Sequence, residues 1–233
     1  MRFPAVTSEQ MAEVDRLMIE EFGVQLIQMM ENAGRALAEQ ASRMLGGSPA
    51  GRAVVVLCGA GNNGGGGMAA ARHLHNRGAS VQAVLAAHPG QLNETPVQQW
   101  QVLERLGLDA PAEVDVTSAD LIVDALIGYG LRGDPHAQTA VWIERASAAG
   151  PPILALDTPS GLDTTTGRPG SPCVRAAATL TLALPKTGLL APEAAPFVSD
   201  LFVADIGVPA ELYWLIGIEA RPWFAEDTIV RVG

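Results

Sequence analysis

The sequence predicts an α/β fold, a mostly parallel β-sheet with helices on both faces. Three observations carry that reading. From about residue 51 onward, short apolar runs rich in β-branched residues alternate with longer segments of helical spacing. The first such run, Ala53-Val54-Val55-Val56-Leu57, enters a glycine-dense turn and then an Ala-rich helical pattern. Hydrophobic residues make up 48% of the 233 residues but aromatics only 5%, a balance that suits small side chains packing helices onto a sheet.

Taken in order, Thr7-Ser8-Glu9-Gln10 carries a capping-box pattern, with Met11, Val14, Leu17 and Met18 following at helical spacing. A second helix is expected over 24–44, with Leu26, Met29, Met30, Ala33, Leu37 and Ala41 on its apolar face. Gly34 inside it costs up to about 1 kcal/mol relative to Ala, which points to close packing against a neighbour. The Met29-Met30 pair reads as core or interface, not as a ligand box. The breaker Gly46-Gly47-Ser48-Pro49-Ala50-Gly51 separates an N-terminal helical arm, 1–50, from a body, 51–233. The body then reads as helix 68–77, strand 80–86, helix 94–106, strand 120–126, helix 138–148 and strand 153–156, with two more strands at 178–184 and 201–203. No internal repeat or long linker appears, so 1–233 is taken as one domain.

Composition excludes several classes. The net charge is −10 and no basic run occurs, so nucleic acid and acidic membrane surfaces are poor partners. Cys58 and Cys173 cannot make a disulfide framework, and reduced thiols fit a cytoplasmic compartment. No apolar run is long enough to span a bilayer, and the start, Met1 to Val6, lacks the apolar core of a secretion signal. His73, His75, His88 and His136 offer no metal-ligand spacing.

The glycine turn, Cys58 to Met68, would put free backbone N–H groups at a helix N-terminus, a setting suited to an anion. Gly59, Gly61 and Gly64 formally give G-x-G-x-x-G, yet the next strand ends in Ala87-His88-Pro89 without the carboxylate that a dinucleotide site wants for its ribose. A conventional dehydrogenase is therefore disfavoured. In open α/β sheets ligands gather beyond the carboxyl ends of the strands. Those ends deliver Asn62 and Asn63, then Asp124, then Asp157 and Ser160. Asp124 sits in an apolar strand and needs a cation, several donors or a proton; capping loop amides is the simpler use. Asp157, before Thr158-Pro159-Ser160-Gly161, could stabilise its own turn. Two carboxylates converging with Asn and Ser oxygens favour an alkali or alkaline-earth cation.

Several stretches resemble one family. GAGNNGGGG (59–67), VDALIGYGL (123–131), LDTPSGLDTTTG (156–167) and MMENAG (29–34) are similar to motifs of NAD(P)H-hydrate epimerases, the YjeF N-terminal domain family. The resemblance runs in order from about Thr7 to Pro209. It implies a Rossmann-like three-layer αβα sandwich and an isomerase that interconverts the R and S hydrates of NADH and NADPH. It places Asn62, Asn63, Gly64, Gly65 and Gly66 at the hydrate site, with Gly128, Tyr129, Gly130, Leu131, Arg132, Gly133, Asp134 and Asp157. It also implies a potassium ion (K+) on Asn63, Asp124 and Ser160. Asp157 is the first choice for the proton-transferring group. A homodimer through the N-terminal arm is expected from that family's habit and from the arm's apolar Met/Leu face. The dehydratase domain often fused to such proteins is not in this sequence, so a separate hydrate dehydratase is the expected partner. The sequence departs from the family where Gly66 replaces an Asp, and where Ile127 and Tyr129 replace Phe and Thr. Four consecutive glycines suggest that Gly66 holds a positive φ angle or lies against a phosphate. Two other readings stand beside the epimerase: a non-catalytic binding or dimerising scaffold, and an enzyme for another nucleotide-like metabolite.

Overall fold

A computed structural model describes residues 3–110 and 114–232. Met1 and Arg2, part of the start read above, lie outside them.

The Thr7 capping box forms as expected: its hydroxyl accepts from Gln10 N–H at 3.2 Å, and the Gln10 carboxamide accepts from Thr7 N–H at 2.9 Å. It opens α1 (Ser8–Glu20), and α2 (Leu26–Met44) follows. The body continues as β1 (Ala53–Cys58), α3 (Asn62–Asn76), β2 (Ser80–Leu85), α4 (Glu94–Leu106), β3 (Leu121–Ala125), α5 (Ala137–Ala149), β4 (Ile153–Leu156) and β5 (Ala178–Leu182). It closes with α6 (Ala195–Val198), β6 (Asp200–Ala204), α7 (Ala210–Leu215) and β7 (Ile229–Arg231). The sheet has the order β2-β1-β3-β4-β5-β6-β7, parallel except for β7, which runs antiparallel to β6.

Alternation along the strands divides the core between the two faces. Val54, Val56 and Cys58 of β1, with Val123 and Ala125 of β3, meet Leu37 and Ala41 of α2, Met68 and Leu74 of α3 and Trp100 of α4. Val55, Leu57 and Ile122 face the other way, onto Trp142, Ile143 and Ala146 of α5. The predicted sandwich is therefore present.

Several details differ from the sequence reading. The helix expected from Met68 begins at Asn62, so the glycine run forms its first turns and not a loop. The strands predicted at 80–86, 120–126 and 178–184 are shorter at one or both ends, and the helix expected over 24–44 begins at Leu26. Neither α7 nor β7 was foreseen, because a six-residue helix and a three-residue edge strand carry too few residues for periodicity to show.

The glycines explain themselves by packing. None of those between 59 and 67 has a positive φ. A Cβ on Gly34 would collide with Ala69 Cβ, so Gly34 lets α2 approach α3 closely, as its place mid-helix suggested. A Cβ on Gly67 would lie 2.5 Å from Ala125 Cβ, and one on Gly65 would lie 2.5 Å from Met30 Sδ. Side chains on Gly59 and Gly64 would overlap the carbonyl oxygens of Leu126 and Gly59. The run thus seats α3 against α2 and the sheet, and poor helix propensity is overridden by tertiary contact.

Candidate active site

The chain leaves β1 for β2 on one side of the sheet and returns to β3 on the other. The carboxyl ends of β1 and β3 therefore flank a topological switch point, where doubly wound sheets bind ligands. A cavity of about 460 Å³ lies here, within the size range of small-molecule sites. Gly61, Asn62, Asn63 and Gly66 of the α3 turn, the segment from Leu126 to Gly130, and Asp157 line it. Met11 and Asp15 of α1 complete the wall, with Leu26, Met29, Met30 and Ala33 of α2.

Asp157 follows β4 and is buried, with φ +66, a left-handed conformation that a non-glycine residue adopts at a cost of about 1–3 kcal/mol. Its N–H is held by Leu180 O at 2.7 Å, and Oδ1 accepts from Leu182 N–H and the Thr181 hydroxyl, both at 3.2 Å. The decisive partner is Lys186, whose ammonium donates to the same Oδ1. Lys186 is fully buried; its other acceptors are Leu182 O at 3.0 Å and Thr181 Oγ1 at 3.2 Å, so all three N–H donors have a use. The segment carrying Lys186 is clamped by Val6, whose N–H donates to Pro185 O and whose carbonyl accepts from Thr187 N–H, both at 2.9 Å. Lys186 was missed in the sequence. Its signal was the one used for Asp124, a charge embedded in an apolar stretch just past a strand.

Asp15 was missed as well. Its carboxylate accepts from the Tyr129 hydroxyl at 2.6 Å, and Lys186 Nζ lies 5.7 Å from the centre of the Tyr129 ring. Burial pushes the Asp15 carboxyl above the usual carboxylate range, against the Tyr129 hydrogen bond and the attraction of Lys186. Burial, followed by the charge of Asp15, pushes the Tyr129 phenol upward too.

Asp124 is fully buried on β3. Oδ1 accepts from the Ser160 hydroxyl at 2.6 Å and Leu126 N–H at 3.2 Å, and Oδ2 accepts from Ser160 N–H at 2.8 Å. Burial pushes its pKa up to about 6, with these bonds pulling the other way. The Ser160 oxygen also accepts from Ile127 N–H at 2.9 Å. Asn63 packs beside Gly128, and its side-chain nitrogen is buried without a partner. Both Asp124 oxygens are thus already met by N–H and O–H donors, as in a carboxylate that caps loop amides; together with the Ser160 oxygen and the unpartnered Asn63 amide, they are oxygen ligands of the kind hard cations take.

The other predicted positions divide. Gly64 and Gly65 turn into the packing described above, while Gly66 faces the cavity. Gly130, Leu131 and Arg132 border an adjoining hollow of about 680 Å³, with His88, His136 and the start of α5. Gly133 takes the positive φ of a turn, and Asp134 accepts from Ser171 N–H at 2.9 Å, which ties its loop to the segment after Gly170. The φ expected for Gly66 is not found: the residue is helical, and a Cβ there would meet Leu156 Cδ2 at 2.9 Å.

A cavity at the switch point of a doubly wound sheet, with buried proton-carrying side chains, defines an α/β protein built to hold a small ligand. The chain belongs to the family described as YjeF-related protein N-terminus, which matches residues 26–188. It is 42% identical to an NAD(P)H-hydrate epimerase of Dehalogenimonas lykanthroporepellens over 97% of this chain and 92% of that one. An NAD(P)H-hydrate epimerase of Rhodopirellula baltica is 35% identical, with 91% and 88% covered. The bifunctional NAD(P)H-hydrate repair enzyme of Moorella thermoacetica is 37% identical over 89% of this chain, which spans only 41% of that protein. In fold, the chain is similar to the crystal structure of yeast ynu0, with a TM-score of 0.83, 24% identity, and 98% and 100% of the two chains covered.

Proposed function

We propose that this protein is an NAD(P)H-hydrate epimerase, interconverting the R and S hydrates of NADH and NADPH. One observation carries the reading: in a chain related end to end to named epimerases, the buried Asp157–Lys186 pair borders a cavity of ligand size. C6 of the hydrate bears a hydroxyl beside the ring nitrogen, so its configuration is lost when that hydroxyl leaves and returns. Asp157 faces the hydroxyl, and Lys186 supplies, through the shared hydrogen bond, the proton with which it leaves as water. The amides at the start of α3, together with Asn62, Gly128 and Arg132, bind the nucleotide part. The residues from Gly130 to Asp134 shape the loop beside it. Given the R hydrate and an S-specific dehydratase, the purified protein should accelerate NADH appearance, followed by absorbance. A rate equal to the spontaneous one at high protein concentration would remove the catalytic reading and favour a binding module, which the missing carboxylate at Gly66 would suit.

Asn63, Asp124 and Ser160 would hold K+. The ion would balance the Asp124 charge and fix the Asn63 amide at the cavity edge. Potassium should then raise the melting temperature of the parent relative to a bulky organic cation, and Asp124→Ala should abolish that difference. Equal melting of the parent in both salts would count against the site.

A separate hydrate dehydratase, matching the second activity named in the bifunctional relatives, is the proposed partner. No helix among the described residues is long and apolar enough to cross a membrane, and a cytoplasmic location is proposed from the reduced cysteines. The apolar face that suggested a dimer is largely spent inside the chain, where Met11, Val14, Leu17, Met18, Met29 and Met30 are buried. Ile19 and Phe22 remain outside, and α1 packs on α7, whose Trp214 and Leu215 are 68% and 63% exposed. A homodimer would cover these residues. Sedimentation at micromolar concentration should give a dimer's mass, and Trp214→Glu should halve it; a monomeric parent would refute the contact.

A further inference from the structure

We propose that Tyr129 and Asp15 form a second proton-transfer pair of the cavity, with the Tyr129 hydroxyl meeting the substrate and Asp15 taking the proton behind it. The inference rests on the epimerase reading and deepens it.

The need comes from stereochemistry. When the C6 hydroxyl leaves, the C6–O bond breaks with its electron pair going to oxygen, and a proton from the wall makes the leaving group water. The ring-nitrogen lone pair forms a double bond to C6. Inversion then requires water to attack C6 from the opposite face. The new C6–O bond forms, the double-bond pair returns to nitrogen, and the attacking water must lose a proton on that side. One proton is consumed where the hydroxyl departs and one is released where water enters. A single carboxylate cannot attend both faces of a ring that stays bound.

The cavity offers a second group. Among the described residues, Asp15 and Asp157 are the carboxylates that line it, and they arrive from different elements, α1 and the end of β4. No carboxylate comes from α3, whose residues lining the cavity are Asn62, Asn63 and Gly66. The hydroxyl of Tyr129 donates to Asp15 at 2.6 Å, which leaves the phenol oxygen free to accept a proton from water as its own proton passes on to Asp15. The Tyr129 ring also faces Lys186, so the two pairs border one space. Burial, aided by repulsion from Asp157, makes the Asp15 carboxylate more basic than an exposed one, which suits an acceptor. Tyr129, Lys186 and Asp157 are the titratable groups that face it; Glu13 and Arg16, on its own helix, pair with each other at the surface. In this scheme Tyr129 is catalytic, and Asp15 acts through it. The reverse reaction exchanges the roles of the two pairs.

The test uses the full chain with the R hydrate of NADH and an S-specific dehydratase in excess. Tyr129→Phe and Asp15→Asn should each lower kcat about a hundredfold, with KM within threefold of the parent. The double variant should be no slower than the worse single one, because the two residues serve one transfer. Asp15→Asn should melt no lower than the parent, since it removes a buried charge and keeps an acceptor for Tyr129. Asp15→Glu should recover part of kcat. An active parent whose two variants keep kcat within threefold overturns the inference alone. So does a loss of kcat that merely follows a loss of melting temperature. An inactive parent overturns the epimerase reading and this inference with it.

Discussion

Lys186→Met should destabilise the fold by about 3–5 kcal/mol, because it leaves the charge of the buried Asp157 without its counter-ion. Methionine has nearly the length of lysine and fills the same channel, so the loss reports the missing charge and not a void. Asp157 would keep only Thr181 Oγ1 and Leu182 N–H, both at 3.2 Å, as donors. Asp157→Asn should be destabilising for the mirror reason, an ammonium buried without its counter-ion. The double variant, Asp157→Asn with Lys186→Met, carries neither charge and should regain most of the loss. That non-additivity separates a coupled buried pair from two independent packing sites. Urea unfolding of the four proteins provides the measurement, with the midpoint and slope reported separately. A Lys186→Met loss below about 1 kcal/mol, the range of exposed pairs, would show the pair to be far better solvated than its burial indicates. Epimerase activity should vanish in all three variants, including the restored double one. Stability and function would then come apart at one site.

Much of the fold was legible in the sequence, and the reason lies in the kind of signal each element sends. The helix at 94–106 and the strand at 153–156 were read to the residue; in the structure the helix closes on Gly107 in a left-handed conformation, and the strand is a short apolar run. Thr7 announced its helix through capping chemistry that acts over three residues. Local signals of this sort survive in one dimension. The start of α3 did not, because glycine argues against a helix and only the neighbours of Gly64, Gly65 and Gly67 make one there. Asp124, Asp157 and Ser160 were legible because each follows or sits in an apolar strand, where a polar group demands an explanation. Asp15 gave no such sign. It lies in a helix with Glu9, Glu13, Arg16 and Glu20, and its meeting with Tyr129, 114 residues away, is a product of tertiary structure alone. Lys186 was legible in principle, by the same argument that singled out Asp124.

The glycine run should divide sharply under substitution. Gly64→Ala drives a methyl into the Gly59 carbonyl, a backbone atom pinned where β1 turns into α3. Gly59 has little freedom to give way, since its own N–H is held by Ala125 O at 3.1 Å. Overpacking of this severity costs about 3 kcal/mol or more, the upper end for small-to-large changes. Gly66→Ala meets only Leu156 Cδ2, the tip of a side chain that can rotate, and it gains up to about 1 kcal/mol of helix propensity. Its stability should therefore stay within about 1 kcal/mol of the parent. Gly66→Asp tests what the residue is for. With no positive φ to strain, the fold should tolerate it once Leu156 has moved, and a carboxylate would enter the cavity near Ala33 and Leu156. It would crowd the ligand's space and oppose Asp157, in a pocket whose second carboxylate is already supplied by Asp15. Substrate affinity should fall, and turnover should not rise. A more than tenfold gain in kcat with KM unchanged would show instead that the parent lacks an acid or base that the pocket can still use.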